Sequence, residues 1–78
     1  MGELIYTVEF ESYDGGSLQG IYHTREDARE RLKRLEARWK GWYRFKSPDV
    51  LAECDTNGNF SGDGRYLIYE RKFGDVEK

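Results

Sequence analysis

Apolar and polar residues alternate along residues 3–12, and this period of two is typical of a half-buried β-strand. The pattern predicts two faces: one carries Leu4, Tyr6, Val8 and Phe10, and the other carries Ile5, Thr7, Glu9 and Glu11. Residues 13–17 follow with Asp-Gly and Gly-Gly steps, which supply the positive φ angles of tight turns. We therefore predict a β-hairpin whose return strand covers residues 18–22.

The spacing of apolar residues then changes to the period of a helix. Thr24 is a typical N-cap residue, and the acidic pair at 26–27 suits the positive end of a helix dipole. One apolar stripe follows at spacings of four, three and four: Ala28, Leu32, Leu35 and Trp39. Gly41 can adopt the left-handed conformation that commonly ends a helix. These signals predict one amphipathic helix between Thr24 and Gly41.

The remaining residues alternate between turn-rich and strand-like segments. We expect a loop or short extended stretch (42–48), a third strand (50–54), a turn-rich loop (55–64), a last strand (65–73) and a frayed tail (74–78). Pro48 restricts Ser47 to extended geometry, which fits a loop or short extended stretch there. An alternative for the turn-rich loop is a short strand at residues 59–61 between two tight turns.

The order of these elements predicts the fold class. We expect an α+β domain with an antiparallel sheet of about four strands, in the order ββαββ, and one amphipathic helix packed on one face. Residues 1–78 are expected to form a single domain, because this length leaves room for one core. The pattern leaves open which face of the sheet the helix covers. Large aromatic side chains on the far face would suit a partner or a second copy.

Composition narrows the classes of protein. The chain has one cysteine, Cys54, so it cannot form an internal disulfide, and a lone cysteine does not make a metal site. The first residues lack the basic and apolar regions of a signal peptide, and no apolar run reaches the 18 residues of a membrane span. We therefore expect a cytoplasmic protein with no membrane association and no cofactor.

Candidate catalytic and metal-binding patterns are weak. His23 and Cys54 are not placed together by any motif, and no phosphate-binding loop or metalloprotease motif occurs. Residues 55–66 resemble a calcium loop at Asp55, Asn57 and Asn59. However, the position that needs glycine holds Phe60, and the one that needs a bidentate glutamate holds Tyr66. The chain is expected to be neither an enzyme nor a metal-binding protein.

Charge is distributed unevenly along the chain. The net charge is −2, but residues 29–46 carry eight basic and two acidic residues, between acidic flanks. Within this stretch, residues 39–46 interleave four aromatic rings with three cations. Three interpretations stay open: the rings seal the core, they contact a protein partner, or they stack on single-stranded nucleic acid. The isoelectric point of about 5.4 weighs against nucleic acid.

Two segments of the chain have a recognisable pattern: the run Gly20-Ile21-Tyr22-His23-Thr24-Arg25-Glu26-Asp27-Ala28, in which a hairpin ends and a helix opens, and the tyrosine-rich strand at 66–70. Together they resemble small phage and bacterial domains of unknown function with a ββαβ-type fold. About half of the chain is covered, and residues 40–64 are additional. The resemblance implies the fold and a phage-like or bacterial setting. It transfers no functional residue.

Two functions are predicted from these observations. The first is a non-catalytic protein-binding domain, for example a phage-encoded regulator or inhibitor of a host protein such as a CRISPR immune effector, which also suits a homodimer. Its predicted contact residues are Trp42, Tyr43, Arg44, Phe45, Glu9 and Glu11. The alternative is a single-stranded nucleic-acid-binding domain that uses Arg38, Trp39, Lys40, Trp42 and Arg44.

Overall fold

The computed structural model describes residues 3–72, which form one antiparallel sheet and one helix. The elements are β1 (Leu4–Ser12), β2 (Gly15–Tyr22), α1 (Arg25–Arg38), β3 (Tyr43–Ser47), β4 (Val50–Cys54) and β5 (Phe60–Lys72). The predicted α+β class, with an antiparallel sheet and a single helix, is confirmed. The sheet has five strands in the sequence order ββαβββ, so the predicted count of about four is wrong.

The additional strand is β3, within the stretch expected to be a loop or a short extended segment. Its side chains alternate, with Tyr43 and Phe45 half-buried and Arg44 exposed, and it pairs antiparallel with β4. Sequence alternation over only five residues is too short to distinguish a strand from an extended loop. Pro48 lies just beyond the strand in a two-residue turn, where its missing N–H costs the sheet nothing.

The last strand begins earlier than predicted. β5 starts at Phe60, which pairs with Cys54 of β4, so the alternative short strand at 59–61 merges into it. Gly62 adopts a φ of 75°, the left-handed region that glycine reaches without a steric penalty, and this allows the chain to continue through a turn-rich sequence. Phe73 of the predicted strand and the predicted frayed tail lie outside the described residues.

The helix begins as predicted, and it ends slightly early. The Oγ1 atom of Thr24 accepts a hydrogen bond from the backbone N–H of Asp27 at 3.0 Å, which is the geometry of an N-cap. The helix ends at Arg38, and Trp39 is its C-cap residue. Trp39 therefore does not complete the predicted apolar stripe, and it is 41% exposed. The stripe that is buried consists of Ala28, Leu32 and Leu35.

The core lies between this stripe and one face of the sheet. The strand order is β2-β1-β5-β4-β3, with the two longest strands, β1 and β5, at or next to its centre. Nine sheet residues pack with the helix stripe in the same cluster. Four are buried (Val8, Leu51, Tyr66 and Ile68) and five are partly buried (Tyr6, Phe10, Tyr22, Tyr43 and Phe45). Val8 pairs with Ile68 and Phe10 pairs with Tyr66, so these residues share a face. The helix therefore covers the face that carries Val8 and Phe10.

An ionic clasp joins the helix to the turn between β3 and β4. Arg25 and Arg29 each donate a hydrogen bond to the carboxylate of Asp49, both at 2.7 Å. Burial alone would raise the pKa of Asp49, but the two arginines outweigh it and hold this pKa below its ordinary value of 3.8. The clasp therefore depends on an ionised Asp49.

Replacing Asp49 by asparagine should loosen this clasp. We expect the Asp49→Asn variant to unfold with a free energy about 1–2 kcal/mol lower than the wild type at pH 7, because two charge-assisted hydrogen bonds lose their charge. Since the folded pKa is depressed, the contribution is complete above pH 3.8 and is lost as the pH falls through the folded value. Urea denaturation at several pH values measures this, and an equal difference at pH 7 and pH 2.5 would contradict it.

Candidate functional site

The sheet face opposite the helix is the candidate site, and we call it the open face. Its side chains follow from strand register: Ile5 pairs with Arg71, Thr7 with Tyr69, and Glu9 with Leu67, all on the side away from Val8. No helix of residues 3–72 covers this face, because α1 is the only helix in that range and lies on the other side.

Apolar side chains are frequent on the open face. An antiparallel sheet that faces water on one side normally presents polar residues there. This face instead carries four exposed or half-buried aliphatic residues, Leu18, Ile21, Val50 and Leu67, whereas Ile5 on the same face is buried, with 3% of its surface exposed. Leu18 and Ile21 lie on the edge strand β2 and are 49% and 52% exposed. Such a mixture of apolar and polar side chains is typical of contact surfaces.

A hydrogen-bonded network occupies the centre of the open face. The carboxylate of Glu9 accepts from the hydroxyl of Thr7 at 2.6 Å and from Nε of Arg71 at 2.8 Å. The hydroxyl of Tyr69 donates to Glu11, and the guanidinium of Arg71 lies 4.7 Å from the centroid of the Tyr69 ring. Each member restrains its neighbours, so the network holds a tyrosine and an arginine in fixed positions.

The network also changes the acidity of its members. Burial would raise the pKa of Glu9, but hydrogen bonds from Arg71 and Thr7 outweigh it and lower this pKa from 4.5. The hydrogen bond to Glu11, followed by burial, raises the pKa of Tyr69 above 10.0. Glu9 therefore stays ionised and Tyr69 stays neutral over the physiological pH range.

A second cluster lies toward the opposite edge of the open face, around Phe60. The ring of Phe60 is 43% exposed, with the guanidinium of Arg44 at 5.6 Å and the ammonium of Lys46 at 5.4 Å from its centroid. Arg44 also donates a hydrogen bond to the carbonyl of Gly58 at 2.7 Å, which fixes its guanidinium beside the ring. A shallow depression of about 470 Å³ adjoins Phe60 and reaches Leu67.

The open face carries charged residues of both signs. Its basic residues are Arg44, Lys46, Arg65 and Arg71, and Glu53 and Asp63 line the depression beside Phe60. Glu9 and Glu11 are its acidic residues on β1. Both acids are already paired with arginines of the same face, Glu9 with Arg71 and Glu11 with Arg65. Arg44 and Lys46 form no ion pair within residues 3–72, so these are the cations of this face that remain available to a partner.

The predicted protein-contact residues are divided between the two faces. Arg44 lies on the open face with Glu9 and Glu11, but β5 and β4 separate β3 from β1, a distance of roughly 14 Å. Tyr43 and Phe45 lie on the other face and pack against the core, but Trp39, the main ring of the core-sealing interpretation, is 41% exposed and is not among the core residues. Burial, together with nearby Tyr66 and Glu53, raises the pKa of Tyr43.

The predicted nucleic-acid residues are divided as well. Residues 38–42 lie at the C-terminal end of the helix, where the guanidinium of Arg38 sits 5.8 Å from the ring of Trp39. Lys40 is exposed there, and Trp42, which precedes β3, is 61% exposed. Arg44 points to the open face, whereas residues 38–40 lie at the end of the helix, which packs on the other face.

Several residues of the open face were missing from the sequence-based prediction. They are Lys46, Phe60, Arg65, Leu67, Tyr69 and Arg71. The alternation of residues 65–71 was visible in the sequence, but the position of β5 between β1 and β4 was not. That position is what brings Tyr69 and Arg71 beside Glu9 and Glu11.

The remaining chemistry-bearing residues have structural environments. Cys54 is 6% exposed, and its thiol lies 3.9 Å from the carbonyl of Gly41. Within the calcium-like loop, Oδ1 of Asp55 accepts from the N–H groups of Asn57 and Asn59, both at 2.9 Å, so it holds a turn between β4 and β5. Residues 3–72 contain no group of three or more potential metal ligands. They also contain no helix with the length and apolarity needed to cross a membrane.

Comparisons with known proteins identify no relative of this chain. No protein-family model, no curated protein and no solved structure matches the chain.

Proposed function

We propose that this chain is a non-catalytic protein-binding domain that contacts its partner through the open face of its sheet. The observation that carries the proposal is the composition of that face, where aliphatic residues surround a tyrosine and arginines held by hydrogen bonds. Tyrosine and arginine are the residues most often found at the energetic centres of protein interfaces. A face that needs little ordering on binding also loses little conformational entropy.

The charge of the open face selects the chemistry of the partner. Its unpaired cations lie around Phe60, next to a depression that can accept an apolar side chain. The depression also carries Glu53 and Asp63, so the complementary partner has a protruding apolar residue and an acidic group placed toward Arg44 and Lys46 rather than a uniformly acidic surface. The resemblance around residues 20–28 adds the finer proposal that the partner is a host protein which a phage-encoded regulator or inhibitor blocks.

Capture from a lysate tests the proposal with two matched charge reversals. Lys46→Glu changes the open face, whereas Lys33→Glu changes an exposed helix residue whose ion pair is with Glu30. We expect the wild type and Lys33→Glu to retain one stoichiometric protein after nuclease treatment, and Lys46→Glu to retain at least about tenfold less. Equal capture by all three variants would place the binding surface elsewhere.

A second candidate function is supported by the cluster around Phe60. An exposed ring between two cations is the arrangement that holds a base and its phosphate in single-stranded nucleic-acid binders. In this candidate, the contacts shift from residues 38–42 to Arg44, Lys46 and Phe60. The acidic isoelectric point of about 5.4 makes it the weaker proposal.

Fluorescence anisotropy with labelled oligothymidylate and oligouridylate tests this second function. If two or three phosphates are contacted, the logarithm of the affinity should fall against the logarithm of salt with a slope of about −1.4 to −2.1. Phe60→Ala should weaken binding by about 5- to 100-fold, because a stacked base is lost, while Phe60→Tyr should retain it. No binding at low salt would remove nucleic acid as a ligand.

A further inference from the structure

The edge strand β2 differs from other exposed strand edges in having no protective charge. Its eight residues, GGSLQGIY, include no charged residue and no proline. The opposite edge, β3, has the sequence YRFKS and ends beside Pro48. Charged side chains and prolines are the usual means by which edge strands avoid pairing with another chain. Only β3 has them, so the two edges of this sheet are not equivalent.

We propose that β2 pairs antiparallel with β2 of a second copy, so that two sheets join across a twofold axis. In such an interface the same strand meets itself, and a charged residue near the axis would face its own like charge. β2 avoids this repulsion because all of its residues are neutral. A strand from an unrelated protein would not need an edge that is neutral along its whole length.

The ends of β2 also fit a second copy running in the opposite direction. Asp14 precedes the strand and His23 follows it, and both are exposed. Antiparallel pairing places Asp14 of one copy beside His23 of the other, so the carboxylate does not meet its own counterpart. In this register Leu18 of each copy lies next to the axis, which brings the two half-exposed Leu18 side chains close together.

The geometry of β2 limits the strength of this association. Eight residues span about 27 Å, and a seam one strand wide buries less than the roughly 1,200 Å² typical of a stable interface. The register between β1 and β2 also shifts at Gln19, which kinks the strand and divides its outer edge into two short segments. We therefore expect half-dimerisation between about 10 µM and 1 mM.

Amide NMR spectra of the purified protein over this concentration range test the proposal. We expect concentration-dependent shifts in β2 and none in β3, together with a rise in mass by sedimentation. Leu18→Lys should raise the half-dimerisation concentration at least about tenfold, because it puts a charge on the edge. Leu4→Lys is the matched control, since Leu4 is 48% exposed but lies on an interior strand.

Two results would overturn the proposal. The first is a protein that stays monomeric up to about 1 mM. The second is a dimer whose shifts map to β3 or to the centre of the open face, or whose association is equally sensitive to both lysine substitutions. Because the purified chain is measured alone, a failure here leaves partner capture by the open face unaffected. Failure of partner capture equally leaves self-association unaffected.

Discussion

Replacing Leu32 by alanine should lower the free energy of unfolding by about 3 kcal/mol, within the range of roughly 2–5 kcal/mol for buried leucines. Leu32 is fully buried at the centre of the helix stripe and belongs to the cluster that contains Val8, Leu51 and Ile68. The substitution removes apolar contacts and leaves a cavity that neighbouring elements can only partly close. In a small domain this is a large part of a total stability of roughly 5–15 kcal/mol.

The exposed residue Leu4 provides the control for Leu32. The same change at Leu4, which is 48% exposed, should cost less than about 1 kcal/mol. Urea denaturation followed by tryptophan fluorescence measures both variants. Equal losses at the two positions would mean that the helix does not seal the core of this sheet.

Replacing Glu9 by alanine should lower the free energy of unfolding by about 2–3 kcal/mol, although Glu9 lies on the open face. Its carboxylate accepts hydrogen bonds from Thr7, which is fully buried, and from Nε of Arg71. Loss of the carboxylate leaves the hydroxyl of Thr7 without this acceptor beneath the network. Glu30→Ala is the control, because its ion pair with Lys33 is exposed on the helix and should contribute about 0.5 kcal/mol or less.

Lowering the pH should remove the contribution of Glu9 to the free energy of unfolding. Its folded pKa lies below 4.5, so the stabilisation is complete above pH 4.5 and is lost as the pH falls through the folded value. The difference between the wild type and Glu9→Ala should therefore narrow between pH 5 and pH 2. A difference that grows on acidification would contradict the assignment of Glu9 as an ionised acceptor.

The local elements could be predicted from sequence because each has a strong local cause. The hairpin follows from alternation around a glycine-rich turn, and the helix follows from Thr24 and the Ala28, Leu32, Leu35 stripe. β3 was missed because five residues beside Pro48 fit a strand or an extended loop equally well. Its pairing with β4 is a tertiary contact that local pattern does not encode.

The candidate site could be predicted only in part. Arg44, Glu9 and Glu11 were placed among the contact residues, and all three lie on the open face. The prediction placed Tyr43 and Phe45 on the same surface as Arg44, because the three residues are consecutive in the sequence. In a strand, however, successive side chains point to opposite faces. The contribution of β5 was missed because its place beside β1 depends on the order of strands in the sheet.

Hydroxyl-radical footprinting of the domain, free and bound to the ligand it captures, tests most directly whether the open face is the binding surface. The prediction is at least a severalfold loss of labelling at Phe60, Leu67 and Tyr69 in the complex, with residues on the exposed side of α1 unchanged. Protection confined to the helix, or to Trp39 at its end, would contradict binding through the open face.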